Sequence, residues 1–321
     1  MTEVSIIIPS WNRKNDLKEC LDSIKKQTFK NYEVIVVDNG STDGTLELLN
    51  KKYSFVKVIT NKKNVGAAQA RNQAYQISKG KYLWFLDSDS IVLSKDCLKT
   101  MLKILKENPK IGQLGGEKIT LGNETKIRIS NSAINQDGTF LYLDNCKLRE
   151  TDYIATSNCI MLKELLYKCR GFDPRYIYGY EDNDVGYEVS KLGYKNFVDD
   201  RCLVLHKRAI AGRVGTFYRW HKNRIRFLFL KKNILFIIFL PIIDIFITLK
   251  LLPNRIQETK KINLNEVVSL RKENAKKHSN LYKIVNLGFN YSFNWLLGYL
   301  WNIVFLPQTL YLKIRKPNYL K

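Results

Sequence analysis

"KYLWFLDSDS", residues 81–90, decides how the rest of the chain is read. Leu83, Trp84, Phe85 and Leu86 form an unbroken apolar run, the pattern of a strand buried on both faces. The run ends in two aspartates, Asp87 and Asp89, separated by Ser88. An isolated buried carboxylate is expensive, so it is normally paired, hydrated or bound to a metal. Side chains alternate along an extended backbone, so Asp-x-Asp directs both carboxylates to one side, where they repel unless a cation lies near. Hard divalent ions such as Mg²⁺ and Mn²⁺ prefer oxygen ligands and join protein carboxylates to diphosphates. The competing reading is a strand that simply ends at the surface.

Upstream, "VSIIIPS" (4–10) is expected to be a buried strand stopped by Pro9, and "YEVIVVD" (32–38) a second one ending in a carboxylate. "VKVIT" (56–60) makes a third and "KYLWFLD" a fourth. Between them, Leu17, Cys20, Leu21 and Ile24 recur at helical spacing in 14–27. A capped helix follows in 41–53 and a small-residue helix in 66–78. Strands alternating with helices imply an α/β fold with a mostly parallel central sheet. Ligands of such sheets gather outside the carboxyl ends of the strands. The tips Pro9-Ser10-Trp11-Asn12, Asp38-Asn39-Gly40-Ser41 and Asp87-Ser88-Asp89 are therefore expected on one edge.

A helix is expected near 94–107, and strands with turns at Gly115-Gly116, Gly122-Asn123 and Asp137-Gly138 over 112–162. "GFDPRYIYGYEDNDVGYEVSKLGYK" (171–195) and the apolar strand "CLVLH" (202–206) complete the front part. The composition changes near residue 207. Of the net charge of +23, residues 207–321 hold +18, with 22 basic and 4 acidic residues, whereas residues 1–206 hold only +5. The expected domains are therefore 1–206, with a nucleotide half about 1–110 and an acceptor half about 111–206, and a basic C-terminal region 207–321. Six scattered cysteines without a CxxC pair argue against a zinc site or disulfide framework and for a reducing compartment. "MTEVSIIIPS" lacks the basic start and long apolar run of a signal peptide.

Three further groups carry potential chemistry. Asp38 with "NGSTDGT" offers a carboxylate, glycine-permitted backbone approach and a helix start, which suit a nucleotide; Ser41 or Asp43 also reads as a helix cap. Arg71 is placed to face a diphosphate or to pair with a carboxylate. Glu181 and Asp182 open a helix behind Tyr176, Tyr178, Gly179 and Tyr180. Acids in a first turn serve the helix dipole, but one there is also placed to deprotonate a hydroxyl, with the tyrosine faces beside a sugar. His206 is a candidate third metal ligand or a structural histidine.

"SIIIPSWNR", "EVIVVDNGSTDGT", "NVGAAQARNQA", "YLWFLDSDS" and the segment 171–195 occur in the order found in family 2 glycosyltransferases, and the chain resembles that family over about 1–233. With "FYRWHKNRIRFLFLKKN" (217–233) it looks most like the rhamnosyltransferase-like branch. The resemblance implies the GT-A fold, a Rossmann-like sheet with helices on both faces, and metal-dependent inverting transfer from a UDP- or dTDP-linked sugar to a glycan or lipid-linked hydroxyl. It also implies roles: Pro9, Ser10 and Asn12 line the nucleoside pocket, Asp38 bonds the base, and Ser41, Arg71 and Ser88 complete the donor site. Asp87 contacts the ribose or a metal water, Asp89 ligates Mg²⁺ or Mn²⁺ with His206, Asp182 is the general base and Glu181 holds the acceptor. Trp11 stands where many members have Tyr, so it is expected to cover the nucleotide differently. A sugar nucleotidyltransferase would want a Gly-rich, basic loop after the first strand, which "PSWNRKND" lacks; a non-catalytic basic binding module would leave both acidic clusters idle.

The tail joins charge to long apolar runs. Residues 234–252 approach the length of a membrane span, but Pro241 and Asp244 interrupt them. Residues 291–316 carry Trp295, Tyr299, Trp301 and Tyr311, amphipathic aromatics of a membrane interface. Helices lying on an anionic membrane surface are the expectation, placing the protein in the cytoplasm at the inner face of the cell membrane. A homo-oligomer through this region is a further expected partner and nucleic acid is not; 255–280 reads as a solvated helix or linker.

Overall fold

The computed structural model describes residues 2–121, 124–134, 140–143, 147–177, 179–207, 216–231 and 296–320. The expected turns at Gly122-Asn123 and Asp137-Gly138, the segments 234–252 and 255–280, Tyr178 and Trp295 lie outside these residues. The described residues fall into two compact units, one formed by 2–134, 140–207 and 316–320, the other by 216–231 and 296–315.

The first unit opens with β1 (Val4–Ser10), α1 (Lys14–Lys25), β2 (Tyr32–Asp38), α2 (Thr45–Lys52), β3 (Val56–Thr60), α3 (Ala67–Ile77) and β4 (Tyr82–Leu86). After β5 (Ser90–Val92) and α4 (Cys97–Glu107) come β6 (Ile111–Gly115), β7 (Glu117–Leu121), β8 (Glu124–Ile134), β9 (Phe140–Leu143), β10 (Arg149–Thr151) and β11 (Asn158–Leu162). The unit then runs through α5 (Lys163–Lys168), α6 (Glu181–Lys191), β12 (Lys195–Val198) and β13 (Val204–Lys207).

Eight strands build the central sheet in the order β10-β12-β6-β11-β4-β1-β2-β3. β1, β2, β3 and β4 run parallel, as do β6 and β12, while β11 runs antiparallel between β4 and β6. The mostly parallel α/β sheet expected from the strand–helix alternation is therefore present. Its apolar runs are continuous because both faces are covered. Ile6, Ile8, Val34, Val36 and Trp84 pack on one side, with residues of α1 and α4. The intervening Ile7, Ile35, Val37, Leu83 and Phe85 pack on the other, with residues of α3, α5 and α6.

Pro9 does not stop β1; it pairs with Val37, and Ser10 with Asp38. Pairing with β4 ends at Ile7, so at Pro9 the strand has a neighbour on one side only, where a missing N–H is tolerated. The chain winds outward from β1 to β3, then returns to lay β4 on the other side of β1. That reversal opens a crevice at the carboxyl ends of β1 and β4, the place where such sheets hold ligands.

A second sheet, β5-β13-β7-β8-β9, leaves the first at Gly115-Gly116. Gly116 turns the corner at φ +141°, and a Cβ on Gly115 would meet the Asn158 carbonyl oxygen at 1.8 Å. Asn158 ties the junction together. It is fully buried, accepts from Trp84 Nε1 at 2.7 Å, and donates to the carbonyls of Gly116 (2.7 Å) and Cys202 (2.6 Å). A buried polar group left without a partner costs about 1–3 kcal/mol, which these bonds avoid for the Trp84 indole N–H and the Asn158 amide.

Residues 316–320, expected with the basic tail, pack on the first unit instead. Leu320 is buried in the α3-side core, because an apolar side chain there gains more than in water. Lys316 Nζ lies 2.6 Å from buried Asp184 in α6, Tyr319 N–H donates to Arg170 O at 2.9 Å, and Arg175 donates to the Tyr319 hydroxyl. The tail thereby braces the segment that leads into Glu181.

In the second unit, α7 (Thr216–Lys231) packs Ile225, Leu228 and Phe229 against Tyr299 and Leu306. Residues 296–304 and Leu306–Ile314 are helical. Among the described residues no helix is long and apolar enough to cross a membrane.

Candidate active site

Strand register brings the Asp-x-Asp motif to its histidine. Asp89 directly precedes β5, in which Ser90 pairs with His206 of β13, and Lys207 N–H donates to Asp89 O at 3.0 Å. His206 Nε2 then lies 3.1 Å from Asp89 Oδ1 and 3.7 Å from Asp87 Oδ2. One ligand atom from each of Asp87, Asp89 and His206 falls within 4.8 Å of the others. Two carboxylates and an imidazole form a donor set suited to Mn²⁺ or Mg²⁺.

The other ring nitrogen of His206, Nδ1, lies 2.5 Å from Glu117 Oε2. Burial depresses the imidazole's hold on a proton, but Glu117, with Asp89 and Asp87, overrides that and raises His206 to about 10. Burial likewise pushes Asp89 up, yet His206 and then Arg13, 3.9 Å away, leave it below its ordinary value. The imidazolium joins Arg13 and Arg71 as positive charge among these carboxylates.

A second bridge runs across the crevice. Arg71 in α3 is 2% exposed and donates to Asp87 Oδ1 at 2.8 Å and to Glu181 Oε1 at 3.2 Å. Of the two positions open to Arg71 in the sequence, the structure places it between carboxylates. Asp182 follows Glu181 in the first turn of α6, reached through Tyr180, a buried residue in the left-handed region at φ +76°. Non-glycine residues held there store strain, which gathers at functional sites. Asp182 keeps an edge to solvent, but protein encloses the rest, and it accepts the Thr156 N–H at a long 3.3 Å. Burial, then the neighbouring Glu181, raises its carboxyl to about 7, while burial also raises Glu181. Tyr176 and Tyr180, expected to offer ring faces to a sugar, are buried at 2% and 1% exposure.

On the neighbouring tips, Asp38 and Ser10 are register partners, both buried, and Asp38 Oδ1 and Ser10 Oγ have no hydrogen-bond partner among the described residues. Buried polar atoms are normally paired, so two orphans side by side fit a ligand's polar groups. Asn12, at φ +51°, accepts from Thr42 N–H at 2.8 Å, and its own N–H donates to Ser41 Oγ at 2.9 Å, which joins the β1 and β2 tips. Trp11 is 52% exposed, Ser88 is buried and Pro9 lies within the sheet. Glu117, Ser157, Thr156 and Asn158 were not legible as site residues; the Gly115-Gly116 pair before Glu117 was the signal available.

Residues 5–170 match the family described as glycosyl transferase family 2. The chain belongs to this family. Over 109 residues it is 42% identical to an uncharacterized glycosyltransferase of Haemophilus influenzae, covering 34% of this chain and 36% of that protein. It is 42% identical over 123 residues to a poly(ribitol-phosphate) beta-glucosyltransferase of Bacillus spizizenii, covering 36% and 19%. With the Escherichia coli UDP-Glc:alpha-D-GlcNAc-diphosphoundecaprenol beta-1,3-glucosyltransferase WfgD it shares 38% over 106 residues, covering 33% and 42%. The alignments thus span well under half the length of these relatives. Among solved structures, S. aureus TarS 1-349 superposes with a TM-score of 0.51 at 21% identity, covering 71% of this chain and 64% of that one. GalNAc-T7 with UDP, GalNAc and Mn2+ gives 0.56 at 20%, covering 71% and 48%. These two likenesses concern the fold, which is the GT-A architecture of this family.

A carboxyl whose folded pKa is raised contributes stability at low pH and loses it as pH rises through that pKa. Asp182→Asn is therefore expected to be more stable than the parent protein at pH 8, by on the order of 2 kcal/mol after allowing for its solvent edge, with the gap narrowing by pH 5. Thermal unfolding at both pH values checks this; an equal gap at both would contradict it.

Proposed function

We propose that this family 2 chain is a metal-dependent, inverting glycosyltransferase that moves a hexosyl or deoxyhexosyl group from a UDP- or dTDP-linked donor to a hydroxyl of a glycan or lipid-linked acceptor. One observation carries the reading: the Asp87–Asp89–His206 cluster is joined through buried Arg71 to Glu181, next to an Asp182 whose carboxyl sits near 7. The two glucosyltransferase relatives, one acting on poly(ribitol-phosphate) and one on a diphosphoundecaprenol-linked sugar by name, support the donor and acceptor classes.

In this reading Pro9, Ser10, Asn12, Asp38 and Ser41 take the nucleoside, with Asp38 Oδ1 and Ser10 Oγ supplying the unpartnered polar atoms. Asp89, Asp87 and His206 would hold Mg²⁺ or Mn²⁺, which when bound would offset charge on the leaving diphosphate, with Ser88 on the donor beside them. Arg71 acts through Asp87, since it is buried behind that carboxylate. Glu181, fixed by Arg71, orients the acceptor hydroxyl. Asp182 takes the hydroxyl proton as the oxygen bonds to C1, and the C1–oxygen bond to the diphosphate breaks on the opposite face, releasing the nucleoside diphosphate. A base with a pKa near the working pH is ionised often enough to act and still basic enough to accept the proton. No covalent intermediate is needed, so one base suffices.

The C-terminal region supports peripheral attachment to an anionic membrane surface on the cytoplasmic side. It holds +18 of the net charge, and Leu300, Ile303, Val304 and Tyr311 are exposed on its described helices.

Titration of UDP and dTDP with and without Mn²⁺ tests the site. Asp89→Ala is expected to lose the metal-dependent part of donor binding, whereas Asp182→Asn keeps it and lowers turnover by at least about 10²-fold, the scale of general-base catalysis. Retained turnover in Asp182→Asn would reassign the base, and metal-independent binding in the parent would remove the cation from the reading. For attachment, the full chain is expected to float with phosphatidylglycerol vesicles and not with phosphatidylcholine alone, releasing as salt rises; equal or absent flotation would contradict it.

A further inference from the structure

We infer that Glu117 is the positioning residue of the metal site, selecting which nitrogen of His206 faces the cation and fixing the ring. Glu117 is the first residue of β7, directly after the Gly115-Gly116 corner, and β7 lies parallel to β13 with Glu117 opposite Val204. From there its carboxylate reaches along the sheet to His206 two residues on, with Oε2 at 2.5 Å from Nδ1. Glu117 is 1% exposed, so its charge is committed to the interior.

The same oxygen accepts the Ser157 hydroxyl. Ser157 precedes Asn158, whose side chain holds the carbonyls of Gly116 and Cys202 on either side of the junction. The carboxylate is therefore fixed at its backbone by the sheet corner and at its oxygen by the Ser157 hydroxyl. An imidazole that keeps its Nδ1–H on such a carboxylate gives up its other proton from Nε2 when a cation binds, so the lone pair faces outward on the atom beside Asp89 and Asp87. A buried carboxylate behind a metal-binding histidine fixes its tautomer and ring orientation and raises its basicity. Nothing in the first-turn acids or the Asp-x-Asp motif supplies this; without Glu117 the ring of His206 could turn about its bond to the backbone.

Glu117 has this role only if Asp89 and His206 hold the divalent cation proposed above. Mn²⁺ titration by calorimetry, in the presence of UDP, compares the full-length parent, Glu117→Gln, Ser157→Ala and His206→Ala, each with its melting temperature. Glu117→Gln preserves shape and a hydrogen-bond acceptor but removes the charge. It is expected to weaken Mn²⁺ binding about 10–100-fold with little change in melting temperature, while Ser157→Ala weakens it several-fold. Unchanged Mn²⁺ affinity in a folded Glu117→Gln protein overturns the assignment while leaving the metal site intact. If Glu117→Gln does not fold, Ser157→Ala decides: unchanged affinity there overturns it as well. No Mn²⁺ binding by the parent overturns both the assignment and the metal site beneath it.

Discussion

Asp87, Asp89, Glu117, Glu181 and Asp182 crowd one end of the central sheet, and two cations, Arg71 and His206, hold them there. Carboxylates at such spacing repel strongly in a protein interior unless positive charge lies between them. Arg71 divides its guanidinium between the β4 tip and the start of α6. His206 divides its two nitrogens between β7 and the Asp-x-Asp motif. The fold accepts the cost because the same end is where a cation and a diphosphate would meet.

The two bridges also explain why the site needs both sheets. Asp87 directly follows β4 of the parallel sheet, at the crevice beside β1. Asp89 and His206 are brought together only by the second sheet, through the antiparallel pairing of β5 and β13. The Gly115-Gly116 corner and buried Asn158, which holds the Gly116 and Cys202 carbonyls, set the relation between the two. On the far side, residues 316–320 hold the segment before α6, so that a lysine 132 positions away in sequence faces the acid next to the proposed base's turn.

Much of the fold was legible because its strands are buried on both faces and read as unbroken apolar runs ending in polar tips. "VSIIIPS", "YEVIVVD" and "YLWFL" lie within one strand residue of where they were expected. The strand-ending aspartates and the Glu181-Asp182 pair were legible for the same reason: charge at the end of a buried run stands out. Glu117 was not, because a single acid after a turn carries no pattern until strand pairing places it beside His206. Arg71 was visible as a cation, but only the long-range approach of α6 shows that it bridges two acids. Residues 316–320 were read with the tail because its composition is basic, while Lys316, Tyr319 and Leu320 fit the first unit. Tyr176 and Tyr180 read as sugar platforms from their type, and burial overrides that.

The central claim is that this acidic edge holds a divalent cation together with a nucleoside diphosphate. Crystals grown with Mn²⁺ and UDP, measured at the manganese absorption edge, test it most directly. The account predicts an anomalous peak within coordination distance of Asp89 and His206, with the diphosphate beside it and the nucleoside over Asp38 and Ser10. An anomalous peak elsewhere, or UDP bound at this edge with no manganese between it and Asp89, would contradict it.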